Sequence, residues 1–79
     1  MPRYFFNIRY EPDTIDEDGE ELPDDKTAWK EATVIAGEMF RDIDGKLQPG
    51  QEWSLEVTDD RKRPLFKITV SAKRFEPSQ

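Results

Sequence analysis

Apolar and polar residues alternate along three stretches of the chain and take up a helical rhythm in a fourth. In RYFFNIRY, Arg3 to Tyr10, the side chains of Tyr4, Phe6, Ile8 and Tyr10 fall on one face and Phe5, Asn7 and Arg9 on the other. Aromatic and β-branched residues dominate it, which favours a strand. From Trp53 to Thr58 the pattern repeats, with Trp53, Leu55 and Val57 inward and Ser54, Glu56 and Thr58 outward. From Leu65 to Ala72 it repeats again, with Phe66, Ile68 and Val70 inward and Lys67 and Thr69 outward. The short polar link at Asp59 to Lys62 predicts that these last two strands form an antiparallel hairpin.

The helical rhythm runs through Ala28, Trp29, Ala32, Ile35, Ala36, Met39, Phe40 and Ile43. At about 100° per residue these positions share an arc of roughly 140°, which predicts one buried stripe. Asp24 is placed as the N-cap, Asp25 sits in the first turn where the helix dipole favours a negative charge, and Gly45 is placed as the C-cap. Val34 falls on the polar side of this helix, out of step with the stripe.

Ahead of the helix lies TIDEDGEELPDD, Thr14 to Asp25, in which seven of twelve residues are acidic. Thr14-Ile15 is expected to return as a short strand against the first one, Asp18-Gly19 to turn, and Ile15 and Leu22 to anchor the segment in the core. Asp16, Glu17, Glu20 and Glu21 remain as charges that local structure does not require. A helix with one apolar stripe and strands with one apolar face have a simple joint solution. The expected fold is α+β in two layers, one amphipathic helix on a mostly antiparallel sheet of three to four strands, in the order β-(β)-α-β-β. Residues 1–79 are read as one small domain with an ordered core over about 3–72 and a frayed tail over 74–79.

Composition narrows the function. The chain has no His and no Cys, so the commonest general base, the strongest nucleophile and the thiolate metal ligand are all missing. Its four scattered glycines form no phosphate-binding loop, and a one-sided sheet of this size leaves little volume for a substrate cleft. A non-enzymatic protein without a cofactor is expected. No stretch is apolar enough to cross a membrane, and MPRYFF does not read as a secretory signal, so the cytoplasm is the expected compartment.

Charge is distributed unevenly. The net charge is −6, yet Glu11 to Asp25 holds nine acidic residues and no basic one, whereas Arg61 to Phe75 holds six basic residues and no acidic one. The overall balance disfavours nucleic acid, and the outward positions of the strands look like an ordinary solvated face with one aromatic, Phe5. Asp16, Asp18, Glu20 and Asp25 follow part of the calcium-loop spacing around Gly19. Thr14 stands where the first carboxylate belongs, and no helix precedes the loop, so weak divalent binding is the most these four residues suggest. An acidic decoy for a nucleic-acid-binding partner is a further alternative for residues 11–25. The leading expectation is a protein-interaction module with self-association in view, and Phe5, Val34, Glu17 and Glu21 as candidate contact residues.

The motifs MPRYFFNIR at the start, DEDGEELPD before the helix and WSLEVTDD with RPLFKITV at the end resemble those of a family of short, mostly alphaproteobacterial domains of unknown function. The resemblance spans nearly the whole chain. It implies a stand-alone domain with a single helix and a C-terminal hairpin, and it assigns no catalytic or ligand-binding residue. The resemblance implies that many relatives carry His where this chain has Asn7, so a site built on that His would be missing here.

Overall fold

The computed structural model describes residues 2–10, 13–43 and 47–76, with the side chain of Ile43 outside the description. The elements run β1 (Arg3–Arg9), β2 (Glu20–Glu21), α1 (Asp25–Ile43), β3 (Glu52–Thr58) and β4 (Pro64–Ser71). The four strands form one sheet in the order β2-β1-β3-β4, antiparallel at every pairing. Helix α1 packs on one face against β3 and β4, so the two-layer α+β fold expected from the alternation is the fold found.

The core follows from strand periodicity. Trp53, Leu55 and Val57 on the central strand β3 are sealed from solvent. Phe6 and Ile8 of β1 stand opposite Val57 and Leu55, and Phe66, Ile68 and Val70 of β4 stand opposite Val57, Leu55 and Trp53. Tyr4 and Leu22 complete the sheet's contribution. The helix meets this surface through Ala28 and Ala32, both fully buried, and short side chains there let its backbone lie close to the sheet. The indole N–H of Trp53 finds no acceptor among the described residues, so this side chain is held by its bulk rather than by its polar atom.

Several expectations are corrected. The buried stripe of α1 is narrower than its periodicity suggests. Ala28, Ala32, Ile35, Ala36 and Met39 lie within about 100° of one another at the usual 100° per residue, and these face the core. Trp29 and Phe40 lie to one side of that line and remain 43% and 59% exposed. Ile15, expected as an anchor, is 52% exposed, whereas Leu22 is buried as expected. The fourth strand is Glu20–Glu21, and Thr14 contributes only an isolated bridge to Ile8. The outward face of the sheet is not simply solvated either. Asn7, Ser54 and Thr58 are buried there, the last two as short side chains on the central strand flanked by residues of β1 and β4.

The helix start is as expected. Asp24 Oδ1 accepts from the backbone N–H of Thr27 at 2.8 Å and from its hydroxyl at 2.6 Å, which caps α1 and holds the Asp24 carboxyl below its ordinary range. Gly45, the expected C-cap, lies outside the described residues, as do the last three residues of the tail. The hairpin is expected and found, but five residues separate its strands. Asp59 organises them: Oδ1 accepts from the N–H groups of Arg61 and Arg63, both at 2.9 Å, and Oδ2 from Arg63 Nε at 2.7 Å. These bonds, led by the Arg63 N–H, lower the Asp59 carboxyl pKa. Lys62 closes the turn in the left-handed region, at φ 64.

Leu55 sits at the centre of β3 with no exposed surface. Leu55→Ala is expected to cost about 2–5 kcal/mol, a large share of the roughly 4–12 kcal/mol typical of a domain this size. Urea denaturation followed by circular dichroism measures it, and a loss under about 1 kcal/mol would mean that the core is not closed around this residue.

Candidate functional site

The acidic segment and β1 form one object. Hydrogen-bonding groups on a strand point alternately to its two neighbours. Phe5, Asn7 and Arg9 face β3, which leaves Tyr4, Phe6 and Ile8 to pair on the other side. Ile8 exchanges two bonds of 2.8 Å with Thr14, and Tyr4 pairs with Glu20. Between these points residues 5–7 of β1 stand opposite residues 15–19, two more than a regular ladder allows, so the segment bulges outward. Asp16 fills the gap. Its Oδ2 accepts the Phe6 N–H at 3.2 Å, and its Oδ1 accepts from the N–H groups of Asp18 at 3.2 Å and Gly19 at 3.0 Å. The Asp16 N–H in turn donates to Asn7 Oδ1 at 2.9 Å.

Gly19 makes the bulge possible. Its φ is +71°, and a Cβ there would come within 2.8 Å of Phe5 Cε2 and 2.9 Å of the Tyr4 carbonyl oxygen. Arg3 binds the same loop by donating from Nη1 to the Asp18 carbonyl at 2.9 Å and by an ion pair to Glu21 at 3.3 Å. Tyr4 ties β1 to the helix, since its hydroxyl donates to Asp25 Oδ1 at 2.7 Å. That bond, followed by burial, pushes the Tyr4 hydroxyl up to about 12.

The candidate metal residues are placed by these contacts. Asp16 faces backbone donors, Asp25 receives Tyr4, Glu20 stands opposite Tyr4 in the ladder, and Asp18 lies in the bend. Among the described residues no group of three or more acidic side chains is placed to hold a metal ion. Of the interaction candidates, Phe5 and Glu17 line a groove of about 570 Å³ on the outward face, with Asn7 and Thr58 in its lining and Arg9 and Lys62 among its charges. Glu21 pairs with Arg3, and Val34 is exposed on the back of the helix. Sequence reasoning missed the role of Asp16. An Asp two residues before Asp-Gly is a common turn-forming arrangement, and that was the available signal.

The opposite edge of the sheet is built differently. Among the described residues β4 pairs only with β3. Ala72 directs its N–H and C=O toward the loop before β3, and by alternation Lys67, Thr69 and Ser71 turn theirs to the open side. Beside this edge the Trp29 ring stands against Phe66, with centroids 5.3 Å apart and planes tilted by 52°.

The family described as Domain of unknown function (DUF6894) matches residues 3–71, the span from the first residue of β1 to the last of β4. The chain belongs to this family. No curated protein and no solved structure matches it. The DUF6894 match covers both edges of the sheet, so the acidic closure of β1 and the open side of β4 lie within the family unit. Among the described residues of this DUF6894 domain no helix is long and apolar enough to cross a membrane.

Two predictions test this geometry. Gly19→Ala places a Cβ at positive φ against backbone and is expected to cost about 1–3 kcal/mol in chemical denaturation; an unchanged midpoint would mean that the bulge is not as described. The second concerns pH. The Tyr4 hydroxyl titrates higher in the folded chain than the ordinary value near 10, so its contribution is fully present below about pH 10 and is lost as pH rises through about 12. Thermal melts of Tyr4→Phe are therefore expected to lose the part of the alkaline destabilisation that falls in this window. Identical pH profiles for the two proteins would exclude the Tyr4–Asp25 bond as its source.

Proposed function

We propose that this domain is a non-enzymatic protein-interaction module that works through the open side of β4. The observation that carries the reading is the contrast between the two edges. On the side of β1 that faces away from β3, Ile8 and Tyr4 pair with Thr14 and Glu20 and the Phe6 N–H is held by Asp16, whereas among the described residues β4 leaves the groups of Lys67, Thr69 and Ser71 to whatever adds beside it. An edge of eight residues offers a ready template for another strand, and proteins use such edges for recognition by strand addition. The half-buried apolar side chains of β4 and the exposed Trp29 supply contact area beside the backbone bonds. The occupant is a segment of another protein or a second copy of this chain.

The experiment is site-specific photocrosslinking. Benzoylphenylalanine at Thr69, on the open edge, is expected to give discrete protein adducts in a lysate of the source organism. The same group at Val34, exposed on the back of the helix, is expected to give none of them. Mass spectrometry of the adducts separates self-association from a different partner. The same adducts from both positions, or none from Thr69, would count against the edge as the working surface.

A further inference from the structure

We infer that the segment accepted by β4 is an extended stretch of another protein in which apolar residues alternate with glutamate or aspartate; this rests on the open-edge reading above. A strand added to β4 continues both faces of the sheet. On the helix side its residues would lie beside Phe66, Ile68 and Val70, which are only half-buried, and within reach of the exposed Trp29 ring packed on Phe66. That side selects apolar residues. On the outward side its residues would lie beside Lys67, Thr69 and Ser71, all exposed.

Charge decides what the outward positions carry. The hairpin turn before β4 holds Arg61 and Lys62, both exposed, and the chain after it holds Lys73 and Arg74. Arg63 is already tied to Asp59, Lys67 stands opposite Glu56, and Asp60 and Glu76 lie at the two ends, yet no acidic residue falls between Arg61 and Phe75. With Glu52 opposite Ser71 also counted, the edge keeps only a small positive excess, but β4 and its flanks from Arg61 to Phe75 carry no acidic side chain of their own, in a protein whose total charge is −6. Acidic side chains on the incoming strand complement this excess.

The same excess argues against a second copy. An antiparallel pair of β4 strands places Lys67 beside or next to its own copy and sets the basic turn of each chain against Lys73 and Arg74 of the other. Parallel pairing in register sets every one of these charges beside itself. Pro64 at the start of β4 and Lys67 in its middle are the residue types that discourage an edge from pairing with its own kind.

The test uses three labelled peptides with the full chain: ten residues alternating valine with glutamate, the same peptide with lysine for glutamate, and residues 62–73 of this chain. Binding is read by fluorescence anisotropy, and its location by amide shifts of the isotope-labelled domain. The glutamate peptide is expected to bind at least about tenfold more tightly than either of the others, to move the amides of Lys67, Thr69 and Ser71, and to weaken as salt rises. The double variant Lys67→Glu with Arg74→Glu is expected to reverse the preference; both residues are exposed, so the fold is retained. If the lysine peptide or the chain's own segment binds as well at the same amides, the inference fails and the open-edge reading stands. If no peptide moves these amides, both fail. Thr69→Pro, which removes an N–H directed to the open side, is expected to abolish binding with the β3–β4 ladder intact by circular dichroism. Undiminished binding to a folded Thr69→Pro protein would also overturn the inference.

Discussion

The carboxylate of Asp16 stands where the middle of a fourth strand would otherwise be. It takes the Phe6 N–H, the one ladder donor of β1 left between the pairings at Ile8 and Tyr4, and it also holds the N–H groups of Asp18 and Gly19. A charged acceptor suits this task because its bonds to backbone donors are stronger than those of a neutral group. One side chain thereby lets a segment rich in acidic residues, which are poor strand formers, lie along a sheet edge without forming a regular strand. Leu22 then enters the core, Asp24 caps the helix, and Tyr4 reaches Asp25. If residues 14–21 were not fixed along β1, the helix would lose its starting position on the sheet.

The parts of this arrangement that were legible in the sequence are those governed by periodicity and capping. Trp53, Leu55 and Val57 alternate with polar residues, and such a pattern has one reading for a strand with a single buried face. Asp24 ahead of an apolar rhythm is equally direct. Periodicity says which residues share a line but not how broad the opposing surface is, so Trp29 and Phe40 could not be separated from Ala28 and Ala32. Alanines set the approach of the helix, so Trp29 reaches the sheet only at Phe66 and stays partly exposed, and Phe40 stays exposed. The fourth strand was misplaced for a different reason. Thr14-Ile15 has strand-forming residues and Glu20-Glu21 does not, but pairing at an edge is decided by where the chain can reach β1's free groups on its way to the helix. A two-residue excess in the bulge cannot be read without knowing the partner strand.

The candidate site was legible in its charge and not in its geometry. The clustering of acids before the helix and of bases around the last strand is visible in the sequence. Which acids are engaged is not. Periodicity and capping give Glu21 no role, and it forms an ion pair with Arg3; they give Asp16 none either, and Asp16 accepts from the N–H groups of Phe6, Asp18 and Gly19. Arg3 and Phe6 are distant in sequence from Glu21 and Asp16, so no local rule identifies these contacts; only the bonds of Asp16 to the Asp18 and Gly19 N–H groups follow a local turn pattern. Phe5 looked like an isolated outward aromatic, yet it closes over Gly19, the one position in the loop with no side chain to obstruct it.

The two poles of the molecule raise the question of why the acidic edge of one copy does not simply join the basic edge of another. Opposite charges would draw them together, and a head-to-tail contact of this kind does not close, so it would propagate into fibres. Hydrogen bonding removes that outcome. The edge-facing groups of Ile8 and Tyr4 already have partners in Thr14 and Glu20, the Phe6 N–H is held by Asp16, and the strand that covers them is two residues long at Glu20–Glu21. An acidic surface without a continuous free ladder attracts a basic edge but gives it no run of donors and acceptors to pair with. The bulge that Asp16 stabilises thus acts at both ends of the sheet. It fixes the helix at one edge, and by occupying the ladder donors there it makes the two edges of the sheet unequal, with β4 as the less covered one among the described residues.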